Sequence, residues 1–313
     1  MATALVTGGA GFIGSHVTRA LLARGDQVSV LDDLSTGTRE NLAGTDARLI
    51  QGDVRDPQVV AAAMRGVELV FHHAALISVA ESMQDPLACY ETNLIGSINI
   101  LLAAHQAGAK RVVLASSAAV YGEAVGPVGE TDPVSPVSPY AASKMAMEQA
   151  GLLFARTYAL PTVSLRYFNV YGPRQRADSA YAAVIPIFIQ HMLAGEPVTI
   201  HGDGQQSRDF VFIEDVVRAN LIAAGLPGDR AGVFNIAGGQ SIPVATLAQT
   251  LQRLIPGSPV PVHGPARPGD IRHSAANLRL SSQAMGYRPA TALERGLQQT
   301  VEWFRAGRPI ATG

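Results

Sequence analysis

Tyr140 and Lys144 stand four residues apart in Tyr140-Ala141-Ala142-Ser143-Lys144, a spacing that puts both side chains on one helix face, one turn from each other. A phenol and an ammonium so placed suit the removal of a proton from an alcohol. The free phenol has a pKa of ~10, so holding it as a phenolate near pH 7 takes ~4 kcal/mol of differential stabilisation, which a neighbouring ammonium and a second positive charge can supply. Alone, the pair suits an ordinary half-buried tyrosine beside a solvated lysine equally well. Its place in the chain argues for chemistry. The helix it opens follows an apolar strand at 110–115, which delivers Ser116 and Ser117 to a carboxyl end, the edge where open parallel sheets bind ligands. Ser117, Tyr140 and Lys144 then form a proton relay for alcohol oxidation beside a hydride acceptor.

A cradle for such an acceptor lies at the start of the chain. Thr7-Gly8-Gly9-Ala10-Gly11-Phe12-Ile13-Gly14 follows the apolar run Ala4-Leu5-Val6 and leads into a helical pattern at Val17, Ala20, Leu21 and Leu22. Gly8, Gly11 and Gly14 allow a tight turn, close approach of a pyrophosphate and close packing of helix on strand, while the helix N-terminus offers N–H groups and a positive dipole end. Glycine-rich turns without ligands are common. Here a second apolar strand at 27–31 ends in Asp32-Asp33, about where a carboxylate accepts from both ribose hydroxyls. That carboxylate argues for NAD, since the 2'-phosphate of NADP would meet a negative charge and no arginine immediately follows. The nicotinamide ring would be the second positive charge near Tyr140.

The elements that must position these residues alternate. Strands are expected at 47–51, 68–72, 110–115 and 160–166, helices at 57–64, 86–107 and from Pro139 to about residue 158. The reading is α/β: a doubly wound parallel Rossmann-type sheet with a smaller, discontinuous α/β substrate-binding cap. Past Tyr167-Phe168-Asn169 the rhythm breaks into proline-rich segments, with a helix at 244–255 and a short strand at 260–263. The expected division is 1–171 plus 208–237 for the NAD-binding part and 172–207 plus 238–313 for the cap. Asn93, a poor helix former within 86–107, is either a solvent-facing tolerance or a polar hook toward the site.

Composition narrows the function. With 47% hydrophobic and 16% charged residues and a net charge of -1 over 313 residues, nothing suggests disorder or a surface for nucleic acid. The single cysteine, Cys89, fits a reducing cytoplasm, and no uninterrupted apolar run approaches the ~18 residues of a membrane span. His72 and His73 are adjacent and point to opposite strand faces without spaced companions, so no metal site is expected. The helices 86–107 and 139–158 carry apolar residues around more than one stripe, the latter at Met145, Met147, Leu152, Leu153 and Phe154, so something besides the sheet must cover them.

Taken in order, Thr7 to Gly14, Asp32, Asp53, His73-Ala74-Ala75, Asn93, Ser117, Tyr140, Lys144, Arg166-Tyr167-Phe168-Asn169, Arg208-Asp209 and Arg267-Pro268-Gly269-Asp270 resemble the extended short-chain dehydrogenase/reductase family. More narrowly, they resemble its UDP-glucose 4-epimerase-like nucleotide-sugar enzymes. The resemblance covers nearly the whole chain. It implies that Tyr140 is the base, that Lys144 binds the nicotinamide ribose and lowers the tyrosine pKa, and that Ser117 shuttles the proton of the sugar O4. It implies NAD contacts at Gly8, Gly11, Phe12, Ile13, Gly14, Asp32, Asp33, Leu34, Ser35, Thr36 and Gly37. Further contacts fall at Asp53, Val54, His73, Ala74, Ala75, Ile77, Asn93, Ser116, Tyr140, Lys144 and Phe168. Asn169, Val184, His201, Arg208, Arg267, Asp270 and Ser274, with Ser117 and Tyr140, would hold a UDP-sugar. A homodimer pairing helices 86–107 and 139–158 is implied as well.

Dehydratases of this family carry Asp-Glu after the catalytic hydroxyl residue, and decarboxylases an acid one residue further on. Ala118 and Ala119 stand there. With no acid to expel water, a 4-keto intermediate is reduced again, which gives 4-epimerisation. In the epimerase branch a bulky residue four positions after the Arg-x-x-Asp aspartate restricts the sugar pocket; the position here is Ser274. Ile77 replaces the lysine of glucose-specific members. Both departures favour a roomier pocket, open to UDP-N-acetylglucosamine and UDP-N-acetylgalactosamine beside UDP-glucose and UDP-galactose. Alternatives are a UDP-glucuronate 4-epimerase, an NAD-dependent nucleotide-diphospho-sugar reductase and, from another class, a catalytically silent NAD-binding regulator.

Overall fold

A computed structural model of the chain describes residues 1–124, 126–177, 183–266 and 271–307. Strand and helix alternate as β1 (Thr3–Thr7), α1 (Phe12–Ala23), β2 (Gln27–Asp32), β3 (Arg48–Gln51), α2 (Pro57–Ala63) and β4 (Leu69–His72). A helical stretch follows: α3 (Val79–Gln84), α4 (Pro86–Tyr90), a π turn at Glu91–Ile95 and α5 (Gly96–Gln106). Next come β5 (Arg111–Ser117), a 3-10 turn at Ala118–Tyr121, α6 (Pro139–Tyr158) and β6 (Thr162–Tyr167). The remainder comprises β7 (Asn169–Tyr171), α7 (Val184–Leu193), β8 (Thr199–His201), β9 (Ser207–Phe212), α8 (Ile213–Ala224) and β10 (Gly232–Ile236). It ends in β11 (Ser241–Pro243), α9 (Val244–Leu254), β12 (Val262–Gly264) and α10 (Leu293–Arg305).

The main sheet runs β10-β6-β5-β4-β1-β2-β3 with every pair parallel. Chain order reverses between β1 and β4, so the ligand crevice of a doubly wound sheet opens there, above Thr7 and His72. Helices cover both faces, which is why the central strands read as continuous apolar runs. Alternation still sorts them: Val6 and Val113 belong to the core beneath α1 and α8, Leu5, Val112 and Leu114 to the core beneath α2, α5 and α6. Smaller sheets, β11-β9-β7 and β12-β8, lie outside the main sheet and pack with α7, α9 and α10.

Two local features depart from the sequence pattern. The expected helix at 86–107 is continuous from Pro86 to Gln106 but widens into the π turn at Glu91–Ile95, and Asn93 lies within that turn, 1% exposed. The extra residue in that turn aims the Asn93 amide inward, where it accepts from the Leu76 N–H at 2.8 Å and donates to the Leu76 carbonyl and to Ser143 Oγ, both at 3.0 Å. It is the polar hook of the two readings. The helices α3, α7 and α10 carried no expectation. By length and composition alone the run Pro86–Gln106 is apolar enough to cross a membrane, yet Cys89, Ile100 and Leu101 on it are fully buried within the fold, as in a core helix.

Candidate active site

Gly8 adopts a φ of 65°, a conformation that L side chains rarely take, and a Cβ there would lie 2.6 Å from Ala74 N. A Cβ on Gly14 would lie 2.2 Å from the Gly8 carbonyl oxygen. The turn thus presses α1 and the strand ends of β1 and β4 together, and α1 begins at Phe12 and Ile13 with no side chain capping its first N–H groups. Those N–H groups face the crevice with a positive dipole end, so the cradle fits a dinucleotide pyrophosphate.

Asp32 closes the cradle from the side. Its carboxylate, 6% exposed, accepts from Ala10 N at 2.8 Å and from Leu34 N at 2.9 Å. Burial raises its pKa and these two N–H groups oppose the rise. Asp33 accepts from Ser35 N and Oγ, at 2.9 and 2.7 Å. Thr36 offers its carbonyl to Arg176, and Gly37 packs against Ala10. Asp53 is held by Arg55 at 2.6 Å, which keeps its carboxyl below the usual range, and Val54 beside it is buried.

The segment after β4 forms the opposite wall. His72 is a core histidine: its ring nitrogens bond Thr7 Oγ1 at 2.7 Å and Ser97 Oγ at 2.9 Å. His73 points to the other face and stacks on Tyr167, with ring centroids 6.3 Å apart. Burial pushes both imidazoles down to about 3, so each is neutral. Among the described residues no group of His, Cys, Asp and Glu could hold a metal ion. Ala74 and Ala75 leave space, Asn93 pins Leu76, and Ile77 stands 68% exposed.

Two elements bring the chemistry together. Ser138 caps α6 by accepting from Ala141 N, and Pro139 fills the first helical position, so Tyr140 sits in the first turn. Ser117 ends β5, accepts from Ala119 N at 3.1 Å and lines the same cavity as Tyr140. Lys144 is buried with Nζ 6.0 Å from the Tyr140 ring centroid, and it donates to the Ala115 carbonyl at 2.9 Å. Burial lowers its pKa to about 8 and raises that of Tyr140, while the Ser117 hydroxyl pulls the phenol back down. A positive charge bound beside the ring would favour the phenolate.

Two cavities of about 330 and 310 Å³ adjoin here, and Asn169 and Arg208 line both. The first, between β7, α7 and β8, also takes in Val184 and His201. The second takes in Ser117, Tyr140, Phe168, Ile77 and Ser274, together with Ala118 and Ala119. Arg208 is aimed by its strand: neighbouring Asp209, fully buried, accepts from Gly238 N and Gly239 N at 2.8 and 3.0 Å and fixes β9 beside the end of β10. Arg267 and Asp270 lie outside the described residues. His273, which sequence reasoning passed over, lines the second cavity beside Ser274, with Nδ1 3.0 Å from Ser207 Oγ.

Known proteins resemble this chain in sequence and fold. Residues 4–237 match the model of the NAD dependent epimerase/dehydratase family. The UDP-glucose 4-epimerase of Mycolicibacterium smegmatis is 38% identical over 308 residues, 96% of this chain and 98% of that protein. Among solved structures, a UDP-N-acetylglucosamine 4-epimerase from Methanobrevibacter ruminantium, in complex with UDP-N-acetylmuramic acid, superposes with a TM-score of 0.94 at 38% identity, covering 98% of this chain and 99% of that one. A UDP-glucose 4-epimerase with UDP-glucose from Thermotoga maritima gives 0.93 at 41% identity, covering 97% and 99%. With the glycine cradle, Ser117, Tyr140 and the buried Lys144 brought together at the end of β5 and a family match across the whole main sheet, this chain belongs to the NAD dependent epimerase/dehydratase family.

Proposed function

We propose that this protein is a UDP-hexose 4-epimerase that works with bound NAD through a transient 4-keto sugar. The observation that carries the reading is the pair of adjoining cavities: a nucleoside fits the first, a hexose the second, and Asn169 and Arg208 stand at the junction where the diphosphate lies. When bound, NAD supplies the acceptor for the C4 hydride and the source of its return. Tyr140 takes the O4 proton, directly or through Ser117, and gives it back when the ketone is reduced from the opposite face. Lys144 holds the ribose and adds positive charge beside the phenol. Ala118 and Ala119, on the cavity wall, offer no acid to expel water, which favours epimerisation over elimination. Incubation with a panel of UDP- and GDP-sugars, followed by proton NMR at C4, tests the reading: inversion without net consumption of reduced nicotinamide is expected. Stoichiometric consumption would mark a reductase, and inversion of UDP-glucuronate alone the other epimerase.

Asp32 would accept from the adenosine ribose and exclude the 2'-phosphate of NADP. Asp32→Ala is expected to weaken NAD binding roughly tenfold or more and to narrow the preference over NADP, since a hydrogen bond to a charged group contributes ~1.5–3 kcal/mol. Calorimetric titration of both dinucleotides reads this directly, and tighter binding of NADP by the parent protein would sink the assignment.

The same reading includes a homodimer through helices 86–107 and 139–158. Leu87, Ile95, Leu102, Leu153 and Tyr158 are exposed on them, whereas Met147 and Phe154 turn into the protomer's own core. Covering those five in a self-complementary contact buries apolar surface at two-fold symmetry. Sedimentation at micromolar concentration is expected to give a dimer; a monomer removes this part. The lobes of the reading are 1–171 plus 208–237 for NAD and 172–207 plus 238–313 for the sugar nucleotide, in a cytoplasm that keeps Cys89 reduced.

A further inference from the structure

The groups of the relay come from two elements, Ser117 from the end of β5 and Tyr140 with Lys144 from α6, and something must fix the one against the other. Glu148 lies one helical turn beyond Lys144, fully buried. Its carboxylate accepts from Arg166 twice, from Nε at 2.9 Å and from Nη2 at 2.8 Å, and Ser116 Oγ donates to it as well. Ser116 and Arg166 are paired in the register of β5 and β6, so one carboxylate clamps α6 to two strand ends. The Arg166 guanidinium in turn lies 4.7 Å from the centroid of the Tyr121 ring, which closes the 3-10 turn that Ser117 caps and lines the sugar cavity.

We infer that Glu148 and Arg166 are positioning residues: a buried pair that sets the distance between the Ser117 hydroxyl and the Tyr140 phenol by bracing α6 against β5, β6 and the turn at Tyr121. The inference rests on the epimerase reading for what the geometry is used for. Two parallel N–H···O bonds in a dry site hold their geometry within narrow limits, and a displacement of about 1 Å between reacting groups costs about 10²-fold in rate. The pair has an electrostatic side as well. The groups facing Lys144 among the described residues are Tyr140 and Glu148 from its own helix, Cys89 from α4, and neutral His72 and His73 at the end of β4. Glu148 helps to keep the ammonium charged against burial.

The chain has two lysines, Lys110 on the surface and Lys144 in the site, so side-chain NMR of the 13C-lysine-labelled holoenzyme shows each separately. In Glu148→Gln, Lys144 is expected to titrate at a lower pH than in the parent, because a negative neighbour is gone, and kcat to fall roughly tenfold to a hundredfold. KM and NAD content should stay within about threefold. A folded Glu148→Gln protein in which either kcat or the Lys144 titration is unmoved overturns the inference, whatever its melting temperature. If that variant does not fold, Ser116→Ala removes the β5 anchor and leaves the ion pair intact; an unchanged kcat there overturns it, and a several-fold loss with NAD retained supports it. Should the parent epimerise no sugar, the proposed function fails, and the Lys144 titration still decides whether the pair acts on the site.

Discussion

Tyr140→Phe is expected to lower kcat by roughly 10² to 10⁴, with NAD still bound. The substitution deletes one oxygen and keeps the ring, so the packing around a partly buried side chain survives. Lys144 keeps its bond to the Ala115 carbonyl and its place beside the ring. What disappears is the hydroxyl to which the proposed mechanism assigns the O4 proton. Burial already raises the phenol pKa and the Ser117 hydroxyl draws it down, so the reactive form depends on charges brought close to the ring. Ser117→Ala should lose less, since water can replace a hydroxyl at the mouth of a 310 Å³ cavity. Parent-like turnover in Tyr140→Phe would refute the assignment of the base. A dissociated cofactor would instead assign the tyrosine to binding, so nicotinamide content is measured beside kcat.

Much of the main sheet and its edge was legible because the physics there is local. Apolar runs bounded by glycine and acidic residues mark strands covered on both faces, and the carboxyl ends of β1, β2, β4 and β5 carry Gly8, Asp32, His73 and Ser117 where a doubly wound sheet must present them. Tyr140 and Lys144 were legible from helix periodicity. The π turn was not: one extra residue leaves no mark on composition, and only the packing of Asn93 against Leu76 and Ser143 shows why it is there. Glu148 stands at helical spacing from Lys144, yet its partner Arg166 comes from a strand 18 residues on, through a register that sequence periodicity does not fix. Val184 and His201 came from resemblance alone, because short strands and proline-rich loops outside the main sheet take their positions from tertiary contacts. Arg267 and Asp270, outside the described residues, stand on the resemblance only.

The second large effect concerns the sugar. In the proposed mechanism O4 must reach Tyr140 with either face of the hexose presented, so the ring would turn over between the two hydride transfers while Asn169 and Arg208, which line both cavities, would retain the diphosphate. The swept volume grows when the 2-hydroxyl becomes an acetamido group. Ser274 borders the cavity in which this happens and its backbone is held by two hydrogen bonds, its N–H donating to the Ser207 carbonyl at 3.0 Å and its carbonyl accepting from Ser241 Oγ at 2.9 Å, while the Arg272 carbonyl two residues before it accepts from Ser207 N at 3.0 Å. A side chain substituted at 274 therefore cannot move aside by shifting its backbone. Ser274→Tyr should add a clash felt by the larger substrate, and overpacking of a well-formed site typically costs ~1–3 kcal/mol, so kcat/KM for UDP-N-acetylglucosamine relative to UDP-glucose is expected to fall roughly tenfold to a hundredfold. The parent should accept the N-acetylated sugar. Both ratios come from initial rates with each sugar, and an unchanged ratio in the tyrosine variant would mean that Ser274 is not the gate and that the room for an acetamido group lies elsewhere in the cavity.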